Sequence, residues 1–349
     1  MNYNKCIIQT INGSYSTAYS YSSGKFYLVD KTFLPISVSQ NENATRKKLL
    51  LSNSEHDRII NNALNPKFVD PMIFQSPIVI GLMIANRCNL SCKYCISANG
   101  NGYSSSNVFA QNFSLTLDRL NKSQVISLVI SGGEPTLCTA LPSILRRMSK
   151  CDFLCLLDTN GIILSRELLD TLQCTDVIPR ISLDSIYEHE HNVNRGNYKK
   201  TVSNIFLMLE KNIPLRLNTV LNRTNLNSLF KLAEWMLGNG IKKWHIFKLQ
   251  KTFAPPNLWI SDEEAKSTLE ALVENYGDKI DILYKFSSNN DGFSSFIVDS
   301  EGGCFSTEKQ KVNFGNIYTK ELSPIWLNTQ LDYRLRHYIK YLAFKGKTT

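Results

Sequence analysis

A chain of 349 residues with 43% hydrophobic content can bury a full α/β core with smaller appendages, and it has no apolar stretch of the roughly 20 residues a membrane helix needs. Its formal charge of +9 is carried by scattered lysines and arginines without aromatic-and-basic interleaving, which speaks against a nucleic-acid stripe and against DNA as a partner. Nine cysteines behind a start that lacks a charged n-region and an apolar h-region point to reduced thiols or a metal site in the cytoplasm, not to a disulfide framework.

Residues 15–30 alternate polar with aromatic or aliphatic side chains around Ser22-Ser23-Gly24, the pattern of a hairpin, within an N-terminal module of residues 1–75. The polar run 37–48 is expected to be mobile, and 54–64 to form a short helix behind a serine cap. From Pro77 the pattern changes. Apolar runs at 78–84, 125–131, 153–158, 177–183, 214–220 and 244–249 predict strands, separated by helical patterns at 115–120, 141–148, 167–172, 202–209 and 226–236. Such alternation implies an α/β fold with a parallel sheet covered by helices and functional residues at the carboxyl ends of the strands. Pro255-Pro256 marks the end of this core, 76–255, and a C-terminal extension, 256–349, follows with a helix at 261–276 and a hairpin at 293–305.

Directly after the first core strand stands Asn86-Arg87-Cys88-Asn89-Leu90-Ser91-Cys92-Lys93-Tyr94-Cys95. Three cysteines in a C-x3-C-x2-C run can curl so that their thiolates converge on one [4Fe–4S] cluster, and the run lacks the fourth ligand such a cluster normally has. An iron without a protein thiolate is an open coordination site, comparable to the position a catalytic zinc keeps for its substrate. A zinc knuckle and three buried thiols are the alternatives.

With its aromatic residue before the last cysteine, this run resembles the signature of the radical S-adenosylmethionine (SAM) superfamily, a likeness that extends over residues 78–250. The resemblance implies a partial (β/α)6 TIM-like barrel in which S-adenosyl-L-methionine chelates the open iron. One-electron reduction, from a donor such as flavodoxin or ferredoxin, then yields a 5′-deoxyadenosyl radical that abstracts hydrogen from the substrate. It further implies that Tyr94 packs on adenine. In Ser131-Gly132-Gly133-Glu134-Pro135, the paired glycines let backbone carbonyls approach a ligand, and the Glu134 carboxylate meets the methionine ammonium. By the same likeness Asn160, Ser182 and Asp184 lie near the ribose, Arg195 pairs with the carboxylate of SAM, and Asn218 and Val220 lie beside the adenosine. For Asp184 a surface cap is an alternative.

Beyond Gln250 the only cysteine is Cys304, so an auxiliary cluster of ordinary ligation is not expected in the extension. Cys304 is read as a thiol without a catalytic role, with hydrogen-atom donation as the alternative. Two substrate classes stay open. The N-terminal module and the Cys95–Gly100 continuation resemble peptide-maturing members, which favours a peptide or protein substrate captured along a strand edge. Residues 216–223 and 243–248 resemble viperin-like nucleotide enzymes, whose basic side chains inside a barrel would hold a triphosphate. A non-catalytic iron–sulfur sensor or scaffold is the alternative of another class.

Overall fold

The computed structural model describes residues 3–10, 15–20, 26–34, 46–63, 76–95, 107–123, 125–251, 254–285, 295–306 and 312–345. Strands β1 (Tyr3–Thr10), β2 (Tyr15–Ser20), β3 (Phe26–Asp30) and β4 (Arg46–Ser52) form an antiparallel sheet in the order β3-β2-β1-β4. Helix α1 (Asn53–Asn61) leaves β4 at once because Ser52 and Glu55 close a capping box. The expected hairpin is therefore β2–β3, and the expected helix starts at Ser52 instead of Ser54. Strands β1 and β4 are additions to the reading of the sequence. Residues 46–48, part of the run expected to be mobile, belong to β4, and 35–45 lie outside the described residues.

Both faces of this small sheet are covered. Cys6 and Ile8 pack with Ala18, Val29, Leu51 and Ile59 on the α1 side, whereas Ile7 and Tyr19 pack with Ile126, Leu154, Leu156 and Ile178 of the larger sheet. Because those contacts lie at or just before the starts of strands in the larger sheet, the module seals the amino-terminal end of the barrel.

The barrel is a run of strand–helix units: β5 (Val79–Ala85), α2 (Asn107–Lys122), β6 (Ser127–Gly132), α3 (Leu141–Ser149), β7 (Leu154–Thr159), α4 (Arg166–Cys174) and β8 (Ile178–Ser182). It continues through α5 (Glu188–Asn194), α6 (Tyr198–Glu210), β9 (Arg216–Leu221), α7 (Leu229–Gly238), β10 (Lys243–Lys248), α8 (Asp262–Tyr276) and β11 (Asp281–Lys285). Each of these strands pairs in parallel with the next, giving six β/α units, the expected partial (β/α)6 barrel. The sixth unit crosses the boundary expected at Pro255-Pro256. Those prolines open only a 3-10 turn, after which Ser261 and Glu264 form a capping box that starts α8 and returns the chain to the sheet.

After β11 the chain crosses to the other edge. Strand β12 (Ser295–Val298) pairs in parallel with β5, and β13 (Gly303–Phe305) and β14 (Asn313–Asn316) extend it as antiparallel neighbours before α9 (Leu322–Lys345). The hairpin expected at 293–305 is β12–β13.

Alternation along the barrel strands sorts side chains between two faces. Leu217, Thr219 and Leu221 of β9, like Trp244 and Ile246 of β10, are buried, and their apolar members pack in the core under the helices. The intervening Arg216, Asn218 and Val220 of β9 and Lys243 and His245 of β10 take the concave side. A polar interior against an apolar exterior places chemistry inside the barrel.

Candidate active site

The cysteine loop leaves β5 and is held at both ends by main-chain hydrogen bonds. Gly133 N–H donates to Ala85 O at 2.6 Å and Glu134 N–H to Arg87 O at 2.8 Å, while Lys93 N–H donates to Asn194 O at 3.1 Å. A Cβ on Gly132 would stand 2.3 Å from Ala85 O, and one on Gly133 would stand 2.3 Å from Arg87 O. Only glycine permits that approach. The β6 terminus thus closely approaches the backbone of the cysteine loop.

Cys88 is exposed and Cys92 and Cys95 are half-buried, all as free thiols. Burial pushes the Cys92 thiol up to about 11, with Arg195 pulling it back and Cys95 and Cys88 adding to the rise. Burial also raises Cys88, with Cys95 contributing. The three sulfurs therefore feel one another, yet among the described residues no three His, Cys, Asp or Glu side chains close on a point that could take one metal ion.

Glu134 is only 1% exposed. Its Oε1 accepts from Thr136 N–H at 3.1 Å, Thr136 Oγ1 at 2.6 Å and Thr159 Oγ1 at 2.6 Å, and its Oε2 accepts from Asn160 N–H at 2.8 Å. Through these bonds the carboxylate ties the end of β6 to the end of β7. Asn160 is equally engaged, its Nδ2 donating to Asn89 Oδ1 at 2.8 Å and its Oδ1 accepting from Ile162 N–H at 3.0 Å. Through Asn89 the β7 terminus also grips the cysteine loop.

Asp184 has no exposed surface. Its Oδ2 accepts from the Tyr94 hydroxyl and from Arg195 Nε at 2.9 Å, and its Oδ1 accepts from Val220 N–H at 2.9 Å. Its own N–H donates to His191 Nδ1 at 3.3 Å. Such a residue is no surface cap: it joins the cysteine loop, β8, β9 and α5. Arg195 also lies 5.3 Å over the Tyr94 ring, so Tyr94 is fixed through both its hydroxyl and its face. Sequence reasoning missed His191, Thr159 and Asn89 as parts of this frame. Asn89 lay inside the cysteine run and Thr159 directly before Asn160, but their partners are 71 and 25 residues away, and no local pattern signals them.

Ser182 and Asn218 face each other across β8 and β9 in register, with Val220 one step further on the same face. Asn218 donates to Asp158 Oδ1 at 3.2 Å, but its own buried Oδ1 has no donor. An orphaned acceptor beside a strand terminus suits a ligand hydroxyl, which would complete it. Next to it Tyr94, Leu249, Ala254 and Leu258 form an apolar patch against which Cys92 and Val220 pack, a bed for a planar base. Thiols, orphaned acceptor and apolar bed together fit an iron–sulfur cluster with an adenosine-bearing ligand. Cys304 lies elsewhere, fully buried in β13 in the main core, where burial pushes its thiol up to about 12. Residues 96–100 lie outside the described residues.

Residues 82–236 match the model of the radical SAM superfamily. Among curated proteins, the AdoMet-dependent heme synthase of Methanosarcina barkeri is 23% identical over 301 residues, 75% of this chain and 85% of the relative. The sporulation killing factor maturation protein SkfB of Bacillus subtilis is 24% identical over 66% of this chain and 55% of its own length. Among solved structures, Streptococcus suis SuiB bound to S-adenosylmethionine aligns with a TM-score of 0.72 at 12% identity, covering 92% of this chain and 86% of SuiB, which establishes the fold. SuiB bound to its precursor peptide SuiA aligns equally, with a TM-score of 0.72. Residues 82–236 form a radical SAM domain, the unit of enzymes whose cofactors are a [4Fe–4S] cluster and S-adenosyl-L-methionine.

Proposed function

We propose that this chain is a peptide-modifying radical SAM enzyme in which Cys88, Cys92 and Cys95 hold the cluster and Tyr94, Asn160, Ser182, Arg195, Asn218 and Val220 shape the SAM pocket. In this reading Gly132, Gly133, Glu134 and Asp184 are positioning residues that bind the cysteine loop to the strand ends. When bound, the cluster and SAM supply a radical able to take a hydrogen atom from an unactivated carbon. The chain's own work is to orient SAM, exclude water and present the substrate. Asn218 offers an acceptor to a ribose hydroxyl, the patch around Tyr94 and Leu258 covers the base, and Arg195, its Nε taken by Asp184, would meet a carboxylate through its terminal nitrogens.

The observation that carries the peptide reading is the N-terminal sheet docked on the barrel through Ile7 and Tyr19. Alignment to SuiB, crystallised with its precursor peptide, covers 92% of this chain, more than the barrel alone could supply. We further propose that residues 1–75 are the peptide-presenting module, with β3 as an edge strand open to pairing. A triphosphate fits the interior less well, because Arg180 is already held by Asp158 and Lys243 by Asp281. The test is deuterium transfer into 5′-deoxyadenosine from labelled candidates under anaerobic, reducing conditions, with a neighbouring-gene peptide set against nucleoside triphosphates. Label from the peptide alone supports the reading, and label from a nucleotide alone overturns it. Production of no deoxyadenosine at all would favour the non-catalytic scaffold.

A further inference from the structure

A cleft of about 380 Å³ lies between the N-terminal sheet and the barrel, lined among others by Tyr19, Tyr27, Arg180, Arg216, Lys243 and Asp281. It is separate from the frame around the cysteine loop. Arg216 and Asn218 are two residues apart on the same face of β9, so the cleft lies one layer of side chains below the proposed SAM pocket.

Among the described residues the charges in this cleft do not balance. Arg180 donates to both oxygens of Asp158, at 2.5 and 2.7 Å. Lys243 stands 3.5 Å from Asp281. Arg216 is only 8% exposed and donates to the Tyr19 hydroxyl at 2.7 Å, its Nε has no acceptor, and no carboxylate reaches it within ion-pair distance among the described residues. Two cations are thus neutralised in place and one is left. A guanidinium removed from water without an anion is costly, and its planar donor fork is matched by a carboxylate.

We propose that this cleft is a carboxylate subsite, in which Arg216 receives one acidic side chain of the peptide substrate and thereby sets which residue is carried to the SAM pocket. What bears the carboxylate rests on the peptide reading above; that the cleft takes a single anion rests on the charge count alone. One uncompensated positive charge suits a carboxylate and does not suit a triphosphate. Val220 lies four residues beyond Arg216 on β9, roughly 13 Å along the strand, a span that an extended peptide crosses in about four residues. The acidic residue is therefore expected within about four positions of the modified one.

The test uses the reconstituted holoenzyme with arginine labelled by nitrogen-15, and two probes differing in one group: acetyl-Gly-Ser-Glu-Ser-Gly-amide and its glutamine counterpart. Both ends are blocked, so only the side chain carries charge. The glutamate peptide is expected to shift the Arg216 Nε–H resonance saturably and to bind at least tenfold more tightly than the glutamine peptide. R216Q is expected to abolish that preference. Because R216Q removes a buried group and could unfold the chain, D281N supplies a second reading: it takes a negative charge out of the cleft and is expected to tighten the glutamate peptide several-fold.

Equal binding of the two peptides, no binding of either, or no effect of D281N overturns the proposal, as does inorganic tripolyphosphate binding tenfold more tightly than the glutamate peptide. No turnover is involved, so the outcome is independent of the deuterium experiment. A peptide that transfers deuterium whether it carries glutamate or glutamine would leave the peptide reading intact and remove only the subsite.

Discussion

The Arg195 guanidinium and the Asp184 carboxylate form an ion pair at 2.9 Å in which the acid is wholly buried and the arginine side chain only 12% exposed. A pair in this setting costs much more to break than to form, since removing one partner leaves the other desolvated and alone. Asp184→Asn should therefore lower stability by about 3–5 kcal/mol in denaturant unfolding. The double variant with Arg195→Met should recover part of that loss. Tyr94 is the second casualty, because its hydroxyl donates to the same oxygen. Iron content after anaerobic reconstitution should fall in D184N although no cysteine is changed. A variant that keeps both full iron and full stability would show that the pair does not hold the loop.

Glu134→Ala distinguishes a positioning role from direct contact with SAM. Four donors from three residues converge on this carboxylate, and truncation would leave them unpaired in a buried place. Each orphaned group costs about 1–3 kcal/mol before relaxation. A loss of at least about 3 kcal/mol in the denaturant midpoint, together with loss of iron, is expected. Weaker SAM affinity at unchanged stability would instead restore the ammonium contact.

The strands of the barrel were readable because apolar runs broken by helical patterns have few other solutions, and the cysteine run stood out because three thiols recur within eight residues. Strand β1 was not readable. Cys6, Ile7 and Ile8 are all buried, the odd and even positions against different layers, so the alternation that marks a half-buried strand is erased. The direction in which Glu134 and Asp184 face was equally hidden. A carboxylate in a turn motif reads the same whether it meets a ligand or a threonine 25 residues away. The sixth β/α unit was cut short by two prolines that punctuate a loop without ending the sheet.

Gly133→Ala should separate folding of the barrel from assembly of the cysteine loop. The added methyl would stand 2.3 Å from Arg87 O and 2.5 Å from its carbonyl carbon, so the backbone beside Cys88 must move. The strands beneath lose no core contact. Circular dichroism is expected to stay close to the parent, while iron per chain after reconstitution drops at least threefold. Full iron loading in G133A would mean the loop has room that the structure does not show.

Acid sensitivity should trace in part to His191. Burial lowers this imidazole from 6.5 to about 4, and the nearby Arg195 adds to the depression while Asp184 opposes it. Its Nδ1 accepts the Asp184 N–H, which requires the neutral ring. Because the folded chain holds the lower value, the unfolded chain binds more protons between pH 6.5 and pH 4. The contribution is fully present above pH 6.5, is lost progressively as pH falls toward 4, and amounts to on the order of 3 kcal/mol across that window. His191→Asn keeps an acceptor near Nδ1 but cannot titrate. Urea unfolding at pH 6.5 and pH 5 should therefore show a smaller drop in stability for H191N than for the parent, the difference growing as pH is lowered. Parallel pH profiles for the two proteins would show that His191 is not the group that charges on unfolding.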